Sequence, residues 1–120
     1  MKTVLVIDDL QAELDLIGEY LRAGGYSVIT AQNGEEGFEK ALNQTPDVII
    51  TDLVMPEMTG LELCRKLKKT PATAEIPIIA CTTRGRGVDE MWAKKQGVAN
   101  YLVKPCTQAD LVGAVKAVIG

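Results

Sequence analysis

Short apolar runs rich in β-branched residues alternate strictly with segments of helical spacing along this chain, and few folds accept that order. The runs are TVLVI at 3–7, YSVIT at 26–30, DVIIT at 47–51, IPIIAC at 76–81 and NYLV at 100–103. Between them apolar residues recur every three or four positions: Leu10, Leu14, Ile17 and Leu21, then Phe38 and Leu42, then Leu61, Leu63, Cys64 and Leu67. Turn chemistry punctuates the pattern. The first helix ends at Gly24-Gly25, the second follows Asn33-Gly34, the third follows Thr59-Gly60, and the last opens at Thr107 with Asp110 at capping-box spacing. Strand, helix and parallel strand connect by right-handed crossovers, so the sheet is mostly parallel and covered on both faces. The expected architecture is one doubly wound α/β domain over residues 1–120, with no output domain in the chain.

A chain of 120 residues that is 47% apolar can bury one core without disulfides or a structural metal. Its net charge of −3, with no block of like charges, argues against nucleic acid or anionic lipid as a partner. Cys64, Cys81 and Cys106 are odd in number and widely spaced, which suits reduced thiols in a cytoplasm better than a disulfide framework or a C-x-x-C metal site. The opening MKTVLVIDD has a short apolar run that ends in two acids, so it reads as neither a signal peptide nor a membrane span. Histidine is absent, which removes the commonest general base and metal ligand. Carboxylates, hydroxyls and lysine are left to do the chemistry.

Doubly wound folds bind ligands beyond the carboxyl ends of their strands. Here those ends carry Asp8-Asp9, Asp52, Thr82-Thr83 and Lys104-Pro105, whereas the second strand ends in Ala31-Gln32, as suits a sheet edge. Taken singly, an Asp after a strand is a cap or turn residue, the lysine a solvated turn residue and Thr82 a strand-end cap. Taken together, gathered carboxylates repel one another unless a cation enters, and hard oxygen ligands suit Mg²⁺. The lysine and the threonine hydroxyl are donors, suited to an oxyanion beside that cation.

VIDD, DVIITDLVMPEMTG, IPIIACTT and NYLVKP resemble, in order and spacing, the receiver domain of bacterial response regulators, the CheY-like group, over the whole chain. MWAKKQGVANYLVKPC is similar to the corresponding stretch of PilH-type regulators, the stand-alone receivers of type IV pilus chemosensory systems in twitching and phototaxis. The resemblance implies a flavodoxin-like (βα)5 fold with its five parallel strands in the order 2-1-3-4-5. It implies that Asp52 is the phosphoacceptor and that Asp9 and Asp52 bind Mg²⁺, or Mn²⁺, directly. Asp8 would help through water, and the carbonyl of Val54 would complete the protein ligands. Thr82 and Lys104 would hold the phosphoryl oxygens, Tyr101 would be the aromatic switch that turns inward, and Pro105 would follow a cis peptide bond. The implied partners are a histidine kinase or its phosphotransfer domain and a downstream pilus or motility protein. Such a chain is a signalling phosphoacceptor that assists its own phosphorylation and dephosphorylation, not an enzyme. The alternatives are a receiver-like module that binds partners unphosphorylated and a regulator of another chemosensory pathway. An aspartyl phosphohydrolase would want a second acid shortly after Asp52, and a flavodoxin-like electron carrier would want a phosphate loop after the first strand; neither is present.

Several residues carry two meanings. In receivers the positions two past the phosphoacceptor and two past the threonine influence how fast the acyl phosphate hydrolyses, and here they are Val54 and Arg84. Arg84 and Arg86, set among glycines, read as a solvated loop, with Arg84 leaning over the phosphoryl group as the alternative. Thr83 stands where the family usually has a small residue, which tightens access to the site. Trp92 reads as a packing anchor of the fourth helix, or else as a partner contact. The cysteines read as small buried apolar residues, with Cys106 nearest the site.

Overall fold

The computed structural model describes residues 1–119. Strands β1 (Thr3–Ile7), β2 (Ser27–Ala31), β3 (Val48–Thr51), β4 (Ile78–Thr82) and β5 (Asn100–Val103) alternate with helices α1 (Gln11–Ala23), α2 (Gly34–Gln44), α3 (Gly60–Lys69), α4 (Val88–Lys95) and α5 (Gln108–Ile119). The strands form one sheet in the order β2-β1-β3-β4-β5, every pairing parallel. This is the fold class and strand order expected from the sequence.

Alternation along each strand divides the apolar residues between two layers, because successive side chains leave opposite faces of the sheet. Leu5, Ile7, Ile49, Ile78 and Ala80 pack with Phe38, Ala41, Leu63 and Leu67 on one side. Val4, Val6, Val48, Ile50, Ile79 and Cys81 pack with Leu14, Ile17, Leu21, Leu111 and Val115 on the other. Burying a Val, Leu or Ile side chain stabilises the fold by roughly 1.5–3 kcal/mol each. Two-sided burial explains why the strands read as continuous apolar runs.

The caps form where the sequence placed them. Asn33 accepts from the Glu36 amide, Thr59 and Glu62 form a reciprocal capping box on α3, and Thr107 and Asp110 form another before α5. Some boundaries differ from expectation for identifiable reasons. Asp47 lies outside β3 because its carboxylate accepts from the Thr3 amide at 2.7 Å. β4 begins after Pro77, which has no amide to give a ladder, and runs on to Thr82. Leu10, expected on the buried face of α1, is 57% exposed because it precedes the first helical residue. No helix among the described residues is long and apolar enough to cross a membrane.

Candidate functional site

The ladder between β1 and β3 ends with Ile7 opposite Thr51, so the next residue on each chain, Asp8 and Asp52, leaves the sheet at the same level. The Asp52 amide still donates to the Ile7 carbonyl at 3.0 Å, which fixes the two acids side by side. One carboxylate oxygen from each of Asp8, Asp9 and Asp52 lies within 4.8 Å of the others. Asp8 and Asp52 are buried, at 1% and 6% exposure, whereas Asp9 faces solvent. Gly60 is required beneath the site, since a Cβ there would meet the Asp52 carbonyl and lie 2.6 Å from the Leu53 Cα.

Lys104 closes the cluster from the end of β5. Its ammonium donates to Asp8 Oδ2 at 2.7 Å and to Asp52 Oδ2 at 3.0 Å, and Glu13 Oε2 stands 3.9 Å away. The other oxygens are held by backbone: Asp8 Oδ1 accepts from the Leu10 amide and Asp52 Oδ1 from the Val54 amide, each at 3.0 Å. Burial would push the Lys104 ammonium down, yet its hydrogen bonds and charge contacts with Asp8 and Asp52 hold it above the ordinary lysine range. Burial raises the Asp8 carboxyl, against the lowering effect of Lys104 and the Leu10 amide. Three carboxylates face one ammonium, so negative charge remains in excess. That donor set, all hard oxygen, fits a small divalent cation.

The structure brings Asp8, Asp9, Asp52 and Lys104 together as the sequence suggested, and Val54 lies beside them through its amide. Thr82 sits one strand further along the same edge and is fully buried; its hydroxyl accepts from the Arg84 amide at 3.2 Å, while its carbonyl accepts from the Lys104 amide at 2.7 Å. The Lys104-Pro105 peptide is cis. Tyr101 is buried, its hydroxyl donating to the carbonyls of Arg84 at 3.1 Å and Gly85 at 3.3 Å. Arg84 leans towards Asp89, 3.9 Å away, as an exposed loop residue. Trp92 does not anchor α4: it is 48% exposed with the Lys95 ammonium 5.1 Å from its ring, while Ala93 makes the buried contact.

Two residues at the edge of the site make contacts the sequence reading did not foresee: Glu13, which it did not single out, and Arg86, which it read as part of a solvated loop. Glu13 lies four residues past Asp9, the spacing of one helical turn, and that spacing was its only signal. Arg86 donates to the Tyr101 carbonyl at 3.1 Å and to Glu90 at 2.9 Å, with its guanidinium 5.9 Å from the tyrosine ring. No local pattern marked that bond to Tyr101, because it spans β5 and the loop before α4.

A doubly wound sheet that gathers three acids and a lysine at its carboxyl edge has a charged ligand site where such folds carry one, and sequence comparison gives the class of protein. The model of the response regulator receiver domain matches residues 4–116, and the chain belongs to that family. It is 35% identical to Protein PilH of Pseudomonas aeruginosa over 99% of this chain and 98% of that one. It is 32% identical to the phosphate regulon transcriptional regulatory protein PhoB of the same organism, of which it spans 52%. Among solved structures, chemotaxis protein CheY4 of Vibrio cholerae superposes with a TM-score of 0.93 at 32% identity, covering 98% of each chain. The protein is therefore the receiver domain of a CheY-like response regulator, a signalling protein whose family implies a histidine kinase or phosphotransfer partner.

Proposed function

We propose that Asp52 accepts a phosphoryl group from a histidine kinase or its phosphotransfer domain, with Mg²⁺ held by Asp9 and Asp52, by Asp8 through water and by the Val54 carbonyl. The observation that carries this is the Lys104 ammonium bridging buried Asp8 and Asp52 inside a carboxylate cluster that keeps an excess of negative charge. Such a cluster is costly unless it serves a cation and an incoming anion. The metal, Mg²⁺ or Mn²⁺, would offset the charge of both the nucleophile and the phosphoryl oxygens.

The chain's own residues supply the rest. The Val54 amide holds Asp52 Oδ1, and Lys104 holds Oδ2 and can follow the charge as the phosphoryl group arrives. As the P–O bond to Asp52 forms, the P–N bond of the donor phosphohistidine breaks and the departing imidazole takes up a proton. Positioning and charge compensation do most of the work in such a transfer. Thr82 then exchanges its bond from the Arg84 amide for one to a phosphoryl oxygen, shifting the balance between conformations of the β4–α4 loop. Tyr101, already buried in contact with that loop, locks the shifted form and acts as the switch. The surface of α4, where Val88, Met91 and Trp92 are exposed, is the face a downstream partner reads. The likeness to PilH supports pilus-based motility or phototaxis as the process controlled. Incubation with Mg²⁺ and a small acyl phosphate, followed by intact mass, tests the proposal. One added phosphoryl group, abolished by a chelator, is expected; an unlabelled protein would point to a module that binds partners without phosphorylation.

A further inference from the structure

The thiols of Cys81 and Cys106 lie 3.4 Å apart, although 25 residues separate them in sequence. Cys81 is buried in β4 next to Thr82, and Cys106 lies just past the cis Lys104-Pro105 peptide, half-buried. Both pack on the side of the sheet covered by α1 and α5. A cavity of about 50 Å³ reaches them, lined also by Glu13, Tyr20 and Lys104. A water molecule needs at least roughly 10–15 Å³ of such space, so a small peroxide can enter where a bulky disulfide cannot.

We propose that Cys81 and Cys106 form an oxidisable dithiol site, which a small hydroperoxide closes into an intramolecular disulfide that grips the segment carrying Lys104. The sulfurs need to approach by only roughly 1.4 Å to reach a bonded separation near 2.0 Å. Their shared hydrogen bond favours an unequal pair: it holds Cys106 below the ordinary thiol range and raises Cys81, which burial raises further. Cys106 is thus the attacking group and Cys81 the resolving one. Cys106 gives up its proton to solvent and, as thiolate, attacks one oxygen of hydrogen peroxide; the O–O bond breaks, and the departing hydroxide takes up a proton from solvent and leaves as water. The Cys81 sulfur then attacks the sulfenic sulfur, the S–O bond breaks, and a second water carries off the Cys81 proton. Both sulfurs are oxidised and the peroxide takes the two electrons. Cys64 is excluded from this chemistry, being fully buried with its thiol pushed up to about 12.

The consequence for signalling rests on the role proposed for Lys104. Its ammonium has to leave Asp52 as a phosphoryl group arrives, and a cross-link two residues along removes slack from that movement. The test therefore has a covalent readout that does not depend on phosphorylation. The full chain is treated with one equivalent of hydrogen peroxide, analysed by non-reducing intact mass and peptide mapping, and then labelled with a small acyl phosphate. Expected are a monomer that has lost two hydrogens, a peptide pair joining Cys81 to Cys106, and reversal by dithiol reductant. The same is expected in Cys64→Ala and its loss in Cys106→Ser. Oxidised wild type should label more slowly than reduced, with Cys106→Ser indifferent to peroxide. Oxygen added at Cys106 without a link, a link through Cys64, or a link between chains would overturn the dithiol site. A correct link with unchanged labelling would overturn the grip on Lys104, whereas failure of every form to label would strike at the phosphoacceptor role alone.

Discussion

Replacing Lys104 by Met keeps most of the side chain's volume and deletes its charge, which isolates what the ammonium does for the cluster. Two charge-assisted bonds, at 2.7 and 3.0 Å, disappear, and they end on carboxylates that are 1% and 6% exposed. Breaking a buried pair in this way costs about 3–5 kcal/mol, because the stranded charges stay desolvated. For a domain of this size each kcal/mol moves the melting temperature by about 4 °C, so a fall of roughly 12–20 °C is expected in chelator at neutral pH. The pH dependence has a definite sign. The folded-state carboxyl of Asp8 is already raised above 3.8 by burial, and losing Lys104 raises it further. A raised carboxylate costs stability in full above its folded value, and that cost is recovered as pH falls towards 3.8. Added Mg²⁺ should also restore much of the loss, by offsetting the same charges. Thermal melts followed by circular dichroism across pH, with and without Mg²⁺, provide the assay. A loss below about 1 kcal/mol, of the size typical of exposed ion pairs, would refute the picture of a buried, mutually dependent cluster.

Other substitutions reach different parts of the account. Val54→Asn should shorten the lifetime of the acyl phosphate, because an apolar side chain, 45% exposed, cannot orient attacking water; equal decay rates would remove that idea. Gly60→Ala should cost about 1–3 kcal/mol in urea unfolding, since the new methyl meets the Asp52 carbonyl and the Leu53 backbone. Arg86→Ala removes the bond to the Tyr101 carbonyl and an exposed pair with Glu90, for a loss of about 1 kcal/mol in the same measurement. Asp9→Asn, at an exposed position, should weaken Mg²⁺ binding measured by titration while leaving the chelated protein's melting temperature nearly unchanged.

The strands and the acidic edge were legible because they follow from local pattern, whereas the order of the strands came from the family resemblance. Val4 and Val6 against Leu5 and Ile7 declare a strand buried on both faces, and Asp8 and Asp52 mark where two such strands stop. Thr59-Gly60 and Thr107 announced helix starts through caps that involve only near neighbours. Contacts between distant segments were opaque. Cys81 meets Cys106 across 25 residues of sequence, and Arg86 meets Tyr101 across 15, with no local signal at either end. Trp92 misled for a related reason. A large aromatic on a short helix suggests an anchor, but α4 buries only Ala93 and leaves the indole 48% exposed.

The proposed function requires one carboxylate to become an acyl phosphate. Borohydride reduces such a phosphate to the alcohol, so treating protein labelled in Mg²⁺ and mapping its peptides reveals which aspartate was modified. Homoserine at position 52, absent when the chelator is present, is the expected result. Homoserine at Asp8 or Asp9, or at no position in a protein that binds Mg²⁺ normally, would contradict it.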